Sequence, residues 1–325
     1  MNRPELSICI ATYNRADFIG QTLDSIVSQN CDGVELVIVD GNSTDLTPQI
    51  MSNYVKKYPF IRYFRLPQKG GVDHDYAKAV EFATGKYCWL FTDDDFLVPD
   101  AIATVKRELT AEHSLIIVNS EVRNRDMNKA VSSKFLNLTK NEVYQSDQFD
   151  ALFKRLIPYI SFIGCVIIRR DLWISRDFKA YYGTEFVHVG VIFQKQLPSS
   201  ALIIEKSLVA IRLGNAQWSP RSFGIWMYKW PGLLNSFTSL SRATIREVDH
   251  SGLPERLKDL IIHRARNEYS LREFRKYLLS AKNSPLFLFA SFVLVLLPSA
   301  SVRFGLLAFF RLTKNYEAIE WWQNY

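Results

Sequence analysis

Three consecutive acids, Asp93, Asp94 and Asp95, follow the apolar run Tyr87-Cys88-Trp89-Leu90-Phe91 after a single threonine, Thr92. Adjacent carboxylates repel one another and are costly to desolvate without a compensating cation. A buried strand that delivers them to the mouth of a sheet makes a place to hold a divalent metal. Oxygen-only ligands favour Mg²⁺ or Mn²⁺, and such ions commonly bridge a protein to a substrate diphosphate. An acidic turn after a strand is the plainer reading of an isolated Asp triplet. The sequence upstream favours the metal.

Leu6 to Ala11 is an apolar run that breaks into the polar loop Thr12-Tyr13-Asn14-Arg15, followed by a helical pattern with Phe18, Leu23, Ile26 and Val27 on one face. Glu35 to Val39 is a second buried strand, ending at Asp40-Gly41-Asn42-Ser43-Thr44-Asp45, which caps a helix from about Leu46 to Tyr58. Ile61 to Leu66 is a third strand, and Asp75 to Thr84 reads as a helix that stops at Gly85. The alternation of strands and helices, with strands apolar throughout, predicts an α/β fold: a parallel sheet covered by helices on both faces. Ligands bind outside the carboxyl ends of such strands. Three strands end in polar clusters, at Thr12 to Arg15, Asp40 to Asp45 and Asp93 to Asp95, and the topology brings all three to one edge.

The order Ser7-Ile8-Cys9-Ile10-Ala11-Thr12-Tyr13-Asn14-Arg15, then Val37-Ile38-Val39-Asp40-Gly41-Asn42-Ser43-Thr44-Asp45, then Ala83-Thr84-Gly85-Lys86-Tyr87 before the acids, resembles family 2 glycosyltransferases. The resemblance covers the first hundred or so residues well and the next hundred loosely. Gly71-Val72-Asp73-His74-Asp75-Tyr76 and Tyr87-Cys88-Trp89-Leu90 look most like the abequosyltransferase-like subgroup, associated with bacterial O-antigen assembly. The family implies a GT-A fold with a Rossmann-like, mostly parallel sheet, and inverting transfer from a nucleotide-diphosphate sugar. Carried over by position, Thr12, Tyr13 and Arg15 line the nucleotide pocket, with Tyr13 near the base. Asp40 accepts hydrogen bonds from the base or ribose, and Asp73 and Asp75 lie beside the ribose. Asp93 and Asp94 match the family's ribose and metal acids, with Asp95 beside them and Asp94 the first choice for the metal. The chain departs from the commonest pattern at Thr92 and Gly41, where many members carry Asp.

Inversion needs a base to take the acceptor's hydroxyl proton. Members present an acid near a helix start some way past the metal motif, and Tyr182-Gly183-Thr184-Glu185-Phe186-Val187-His188-Val189-Gly190 is the matching stretch. Glu185 is the leading base. His188, three residues on, is the base itself, a metal ligand or a partner that orients Glu185, and the sequence leaves these open. Lys69-Gly70-Gly71 is a weak phosphate-loop signal, Arg123 to Thr139 reads as a mobile loop, and Arg212 and Asn215 are further candidates for the diphosphate or acceptor.

The 325 residues are divided here into a catalytic domain, 1–220, and a C-terminal helical region, 221–325. No secretory leader is expected, because the N-terminus enters a strand almost at once. Of four cysteines, Cys9, Cys88 and Cys165 fall in predicted strands and read as reduced core residues. The net charge is +7, with much of the excess beyond Pro254 on helices bearing Arg256, Lys258, Arg264, Arg266, Arg272, Arg275, Lys276 and Lys282. Basic excess also suits nucleic acid, but no nucleic-acid motif accompanies it, so no nucleic-acid partner is expected. Leu286 to Leu297 is apolar and shorter than the ~20 residues of a spanning helix; Pro298 breaks it, and Phe304 to Phe310 follows. We expect an embedded or interfacial helical pair, with Trp321 and Trp322 at headgroup level, at the cytoplasmic face of the inner membrane. The alternative is an ordinary core helix.

The expected enzyme is thus a Mg²⁺- or Mn²⁺-dependent glycosyltransferase with a nucleotide-diphosphate sugar donor and a lipid-linked oligosaccharide acceptor. The alternatives are a sugar-nucleotide nucleotidyltransferase, disfavoured because Thr12-Tyr13-Asn14-Arg15 is no Gly-rich loop, and an inactive membrane-bound nucleotide-sugar binder.

Overall fold

The computed structural model describes residues 3–215, 221–248, 252–279, 283–315, 319 and 322. The expected domain boundary at residue 220, and the roles given to Lys282 and Trp321, lie outside these. Two compact units are present: residues 1–212 with Thr238–Ser241, and 213–237 with 242–325.

The first unit is built on β1 (Leu6–Thr12), β2 (Val34–Asp40), β3 (Ile61–Arg65), β4 (Tyr87–Phe91), β5 (Phe96–Leu97), β6 (Leu115–Arg123), β7 (Ala130–Ser132), β8 (Glu142–Tyr144), β9 (Val166–Arg169) and β10 (Ala201–Arg212). They form one sheet in the order β3-β2-β1-β4-β9-β6-β10-β5, with β7 on β6 and β8 on β10. The first four strands are parallel, as their mostly apolar character predicts. The order reverses between β1 and β4, which opens a crevice at their carboxyl ends. β9 is antiparallel to both β4 and β6. It begins just after Cys165, because Ile163–Cys165 forms a 3₁₀ turn that leaves the Gly164 carbonyl to accept from Trp89 Nε1 at 2.9 Å.

Helices α1 (Ile19–Val27), α2 (Thr47–Lys57) and α3 (Val72–Phe82) connect the parallel strands. The helix predicted from Asp75 starts three residues earlier, immediately after Gly71. That glycine holds φ 92°, a left-handed turn that a side chain would strain. Its inward face, Tyr76, Ala77 and Val80, is buried, and the Tyr76 hydroxyl donates to the Phe91 carbonyl at 2.9 Å. Residues 123–139 are no free loop. β7 pairs with β6, Met127, Leu136 and Leu138 are buried, and Asn119 both donates to the Leu136 carbonyl and accepts from its N–H.

In the second unit, Phe223, Leu260, Tyr269, Phe274, Leu278, Phe287 and Val295 form the core. The helix Pro285–Leu296 buries only Phe287, Ser291 and Val295, one face at a four-residue spacing. It meets the helix Ser299–Leu312 at a bend of 103°. No single helix among the described residues is long and apolar enough to cross a membrane.

Candidate active site

The polar ends of β1 and β2 are sewn together by short side chains. The Asn14 N–H donates to Ser43 Oγ at 2.8 Å, and the Thr44 N–H returns a bond to Asn14 Oδ1 at 2.8 Å. Arg15 N–H bonds Thr47 Oγ1 at 3.0 Å, and Ala16 N–H bonds Asp45 Oδ2 at 3.0 Å. Asn14 sits in the left-handed region at φ 53°, which Asn tolerates better than most residues. The sequence reading missed these stitching roles of Asn14, Ser43 and Asp45; their only signal was a clustering of turn formers.

This stitching aims Arg15 at the acids. Its Nε lies 3.2 Å from Asp93 Oδ1 and its Nη2 lies 2.9 Å from Asp94 Oδ2. Burial pushes the Asp93 carboxyl up to about 7 against the pull of Arg15, and Asp94 adds repulsion. Asp95 differs from its neighbours. Its Oδ1 accepts from the Arg212 N–H at 2.7 Å and its Oδ2 from the Thr92 hydroxyl at 2.5 Å. Its Oδ1 thus ties the end of β10 to the acidic turn and its Oδ2 is held within that turn, so Asp95 serves as a brace beside the Asp93–Asp94 pair. Thr92, in the position where many relatives carry Asp, serves that same brace. Arg212 is withdrawn from diphosphate. Its guanidinium is buried and donates to the carbonyls of Asp94 and Arg125 and to Gln21 Oε1.

Asp40 is fully buried, with Ser43 N–H donating to its Oδ1 at 2.7 Å and the Tyr63 hydroxyl donating to its Oδ2. The carboxylate braces the β2 loop through both oxygens. Thr12 is buried at the end of β1, where its carbonyl accepts from Gly41 N–H at 2.9 Å. Tyr13 is half-buried under the Lys69 ammonium, 3.5 Å from the ring centroid, which brings the Lys69-Gly70-Gly71 turn to the same mouth.

The start of α3 joins the two sides of the cleft. Asp75 is buried, with its Oδ1 3.0 Å from His74 Nδ1. A Cβ at Gly41 would stand 2.7 Å from Asp75 Oδ2, so glycine there has a steric cause: the space belongs to a carboxylate from α3. Gly41→Ala should therefore lower the melting temperature by several degrees and weaken nucleotide binding, measured by thermal shift with and without nucleotide. An unchanged melting temperature would mean that Asp75 simply swings aside. Asp73 is not turned to a ribose. It accepts from the N–H groups of Gly183 and Glu185 at 2.8 and 2.9 Å on Oδ2, and of Val187 at 2.9 Å on Oδ1. Burial pushes its carboxyl up to about 6 in spite of those donors.

Glu185 is half-buried in the turn ahead of the short helix Val187–Phe193 and holds φ 73°. Because it lies outside that helix, the expected shared face with His188 does not exist. His188 is 1 % exposed, and its Nε2 lies 2.8 Å from the Ile160 carbonyl, which fixes that nitrogen as the donor. Desolvation pushes its imidazole down to about 4. A sealed ring that resists protonation is poorly placed to take a proton from an acceptor, and Glu185 is the better placed of the two.

Comparison with known proteins places this arrangement in context. The family model described as Glycosyl transferase family 2 matches residues 7–173. An abequosyltransferase of Salmonella typhimurium is 27% identical over 270 residues, covering 77% of this chain and 80% of that protein. The GalNAc(5)-diNAcBac-PP-undecaprenol beta-1,3-glucosyltransferase of Campylobacter jejuni is 26% identical over 152 residues, covering 46% of this chain and 49% of its own. Among solved structures, S. aureus TarS 1-349 aligns with a TM-score of 0.61 at 17% identity, covering 99% of this chain and 89% of that one. The mannosyltransferase PcManGT of Pyrobaculum calidifontis, solved with GDP-Man and Mn²⁺, aligns with a TM-score of 0.54 at 17% identity, covering 90% and 87%. These two share the fold.

Proposed function

We propose that this chain, which belongs to glycosyl transferase family 2, is an inverting, divalent-metal-dependent enzyme that moves a sugar from a nucleotide diphosphate to a lipid-linked glycan of the bacterial surface. The observation that carries the reading is the mouth between β1 and β4, where Arg15 and the Asp93–Asp94 pair meet beside the Tyr13–Lys69 pair. That edge is also tied through α3 to the turn bearing Glu185. The names of the Salmonella and Campylobacter relatives support the surface-glycan setting and, for the second, an undecaprenol-linked substrate.

Among the described residues no group of three or more His, Cys, Asp or Glu side chains could hold a metal by itself. A Mg²⁺- or Mn²⁺-diphosphate complex asks for less, since one or two carboxylates suffice and the phosphates supply the rest. Two adjacent, mostly buried carboxylates sharing a single guanidinium fit that demand. Asp94 and Asp93 would hold the ion, which when bound neutralises the departing diphosphate. Glu185 receives the acceptor's hydroxyl proton as the acceptor oxygen bonds to the anomeric carbon. The bond from that carbon to the diphosphate breaks on the opposite face, its electron pair leaving on the phosphate oxygen. Thermal shift with CDP-, UDP-, GDP- and dTDP-sugars, with and without Mn²⁺, tests donor binding, and turnover with extracted lipid carriers tests transfer. Stabilisation by one nucleotide class with Mn²⁺ supports the reading, and absence of any donor effect overturns it.

The C-terminal unit supplies the membrane side of the proposal. Leu286, Phe289 and Leu296 on one helix, and Phe304, Phe309 and Leu312 on the next, are each more than half exposed. A core helix of a soluble domain would bury such residues, and this one buries a single face. Some of the basic residues expected to face lipid are already used. Arg256 lies over the Phe287 ring at 4.1 Å, and Arg264 donates to the Leu297 carbonyl. Apolar area therefore carries most of the docking. Converting Leu286, Phe289, Leu296 and Phe304 together to serine should reduce partition onto anionic liposomes by on the order of 10³-fold or more, at ~1.5–3 kcal/mol per buried side chain. Parent protein that stays in the supernatant without detergent would end the membrane proposal.

A further inference from the structure

The segment 183–187 is held by local bonds at Thr184 and Phe186 and by one side chain from far along the sequence. It contains two left-handed residues, Gly183 at φ 85° and Glu185 at φ 73°, and a side chain disfavours that conformation. It belongs to no regular element, since helix Val187–Phe193 begins only at its end. Three of its N–H groups, from Gly183, Glu185 and Val187, nevertheless converge on one point, the Asp73 carboxylate, 110 to 114 residues earlier in the chain. Backbone N–H groups wrapped around an anion form a nest, here supplied by alternate residues, and the anion helps to fix the dihedral angles of the residues that supply it. Asp73 is 5 % exposed, so water does not compete for these bonds.

We propose that Asp73 is the positioning residue for Glu185. Its carboxylate holds the turn 183–187 in the left-handed form that aims the Glu185 side chain, and it does so from the first turn of α3. The next residues of α3, His74 and Asp75, stand against the ends of the donor-side loops at Gly70 and Gly41. The role rests on the reading of Glu185 as base. Through it, the element packed under the donor-side loops also sets the geometry of the acceptor's proton acceptor. His74 strengthens the join from the other side, its ring 5.8 Å from that of Tyr182 in an edge-on contact.

The test uses the full-length protein and has two independent readouts. Hydrogen exchange over residues 182–190 reports the turn itself. Asp73→Ala, which deletes all three acceptor bonds, should speed exchange at Gly183, Glu185 and Val187 by ~10-fold or more, about the worth of one net hydrogen bond. Asp73→Asn keeps one oxygen and should lie between the parent and Asp73→Ala. Turnover with the donor found by thermal shift should fall ~10- to 100-fold in kcat for Asp73→Ala, with the donor KM unchanged, as a misplaced catalytic group predicts. The double variant Asp73→Ala/Glu185→Gln should be no slower than Glu185→Gln alone, because a positioner has nothing left to position.

Unchanged exchange at the three amides overturns the clamp. Faster exchange with unchanged kcat, or a double variant slower by the product of the singles, overturns the positioning role while leaving Glu185 as base. Full activity of Glu185→Gln would instead remove the base reading, which the exchange data do not depend on. Where Asp73→Ala fails to fold, Gly183→Ala serves: its Cβ meets no atom within 4 Å, so it perturbs only the backbone at φ 85°. It should lower kcat and leave nucleotide binding intact, and unchanged kcat in that variant overturns the proposal.

Discussion

Asp94→Ala is expected to abolish turnover and to erase Mn²⁺-dependent stabilisation by nucleotide, with the melting temperature of the free protein little changed. The fold should survive because Asp94 contributes an ion pair at the mouth of the sheet, whereas the brace to β10 is made by Asp95. Arg15 keeps its bond to Asp93 at 3.2 Å, so the loop after β1 stays aimed at the site. What is lost is the carboxylate that, with Asp93, would hold an ion against the leaving diphosphate. Metal stabilisation of a developing phosphate charge is worth several kcal/mol, which is ~10³-fold or more in rate. Asp95→Ala provides the contrast: it should lower stability, since it frees the Arg212 N–H and the Thr92 hydroxyl in a buried setting. Turnover by Asp94→Ala at parental rate in EDTA would show that the reaction needs neither the ion nor this ligand.

Glu185→Gln is expected to cost ~10² to 10⁴-fold in kcat, the usual range for loss of a general base, with nucleotide affinity near that of the parent. The amide keeps size and polarity but cannot take the acceptor's proton. The backbone at Glu185 should not move, because it is the Glu185 N–H, and not its side chain, that Asp73 holds. His188→Ala should behave oppositely. It removes a buried ring bonded to the Ile160 carbonyl and should lower stability, with residual activity tracking the folded fraction. A dead, fully folded His188→Ala beside an active Glu185→Gln would reverse the two assignments.

The sheet, its parallel strands and the convergence of three polar loops were legible in the sequence for a simple reason. A strand buried on both faces is mostly apolar, and the chain that leaves it has to turn in polar residues. Periodicity carries that information locally, so β1 to β4 and the helices between them could be read in order. The same holds for Pro285–Leu296, whose apolar composition was plain.

Which carboxylates are available for chemistry was not legible, because that depends on partners far along the chain. Asp93, Asp94 and Asp95 look alike in sequence, yet the Arg212 N–H, 117 residues on, bonds Asp95, whereas Arg15 pairs with the other two. Asp73 and Asp75 look like ordinary first-turn acids, yet one is wrapped by the turn 110 residues later and the other fills the space that Gly41 leaves. His188 was read as base, metal ligand or partner of Glu185, but the helix begins after Glu185 and the imidazole is buried. Residue type and local pattern determined the family of chemistry and the edge of the sheet where it belongs. The tertiary structure decided how each acid is engaged, because a buried carboxylate takes its donors from whatever backbone the fold brings within 3 Å.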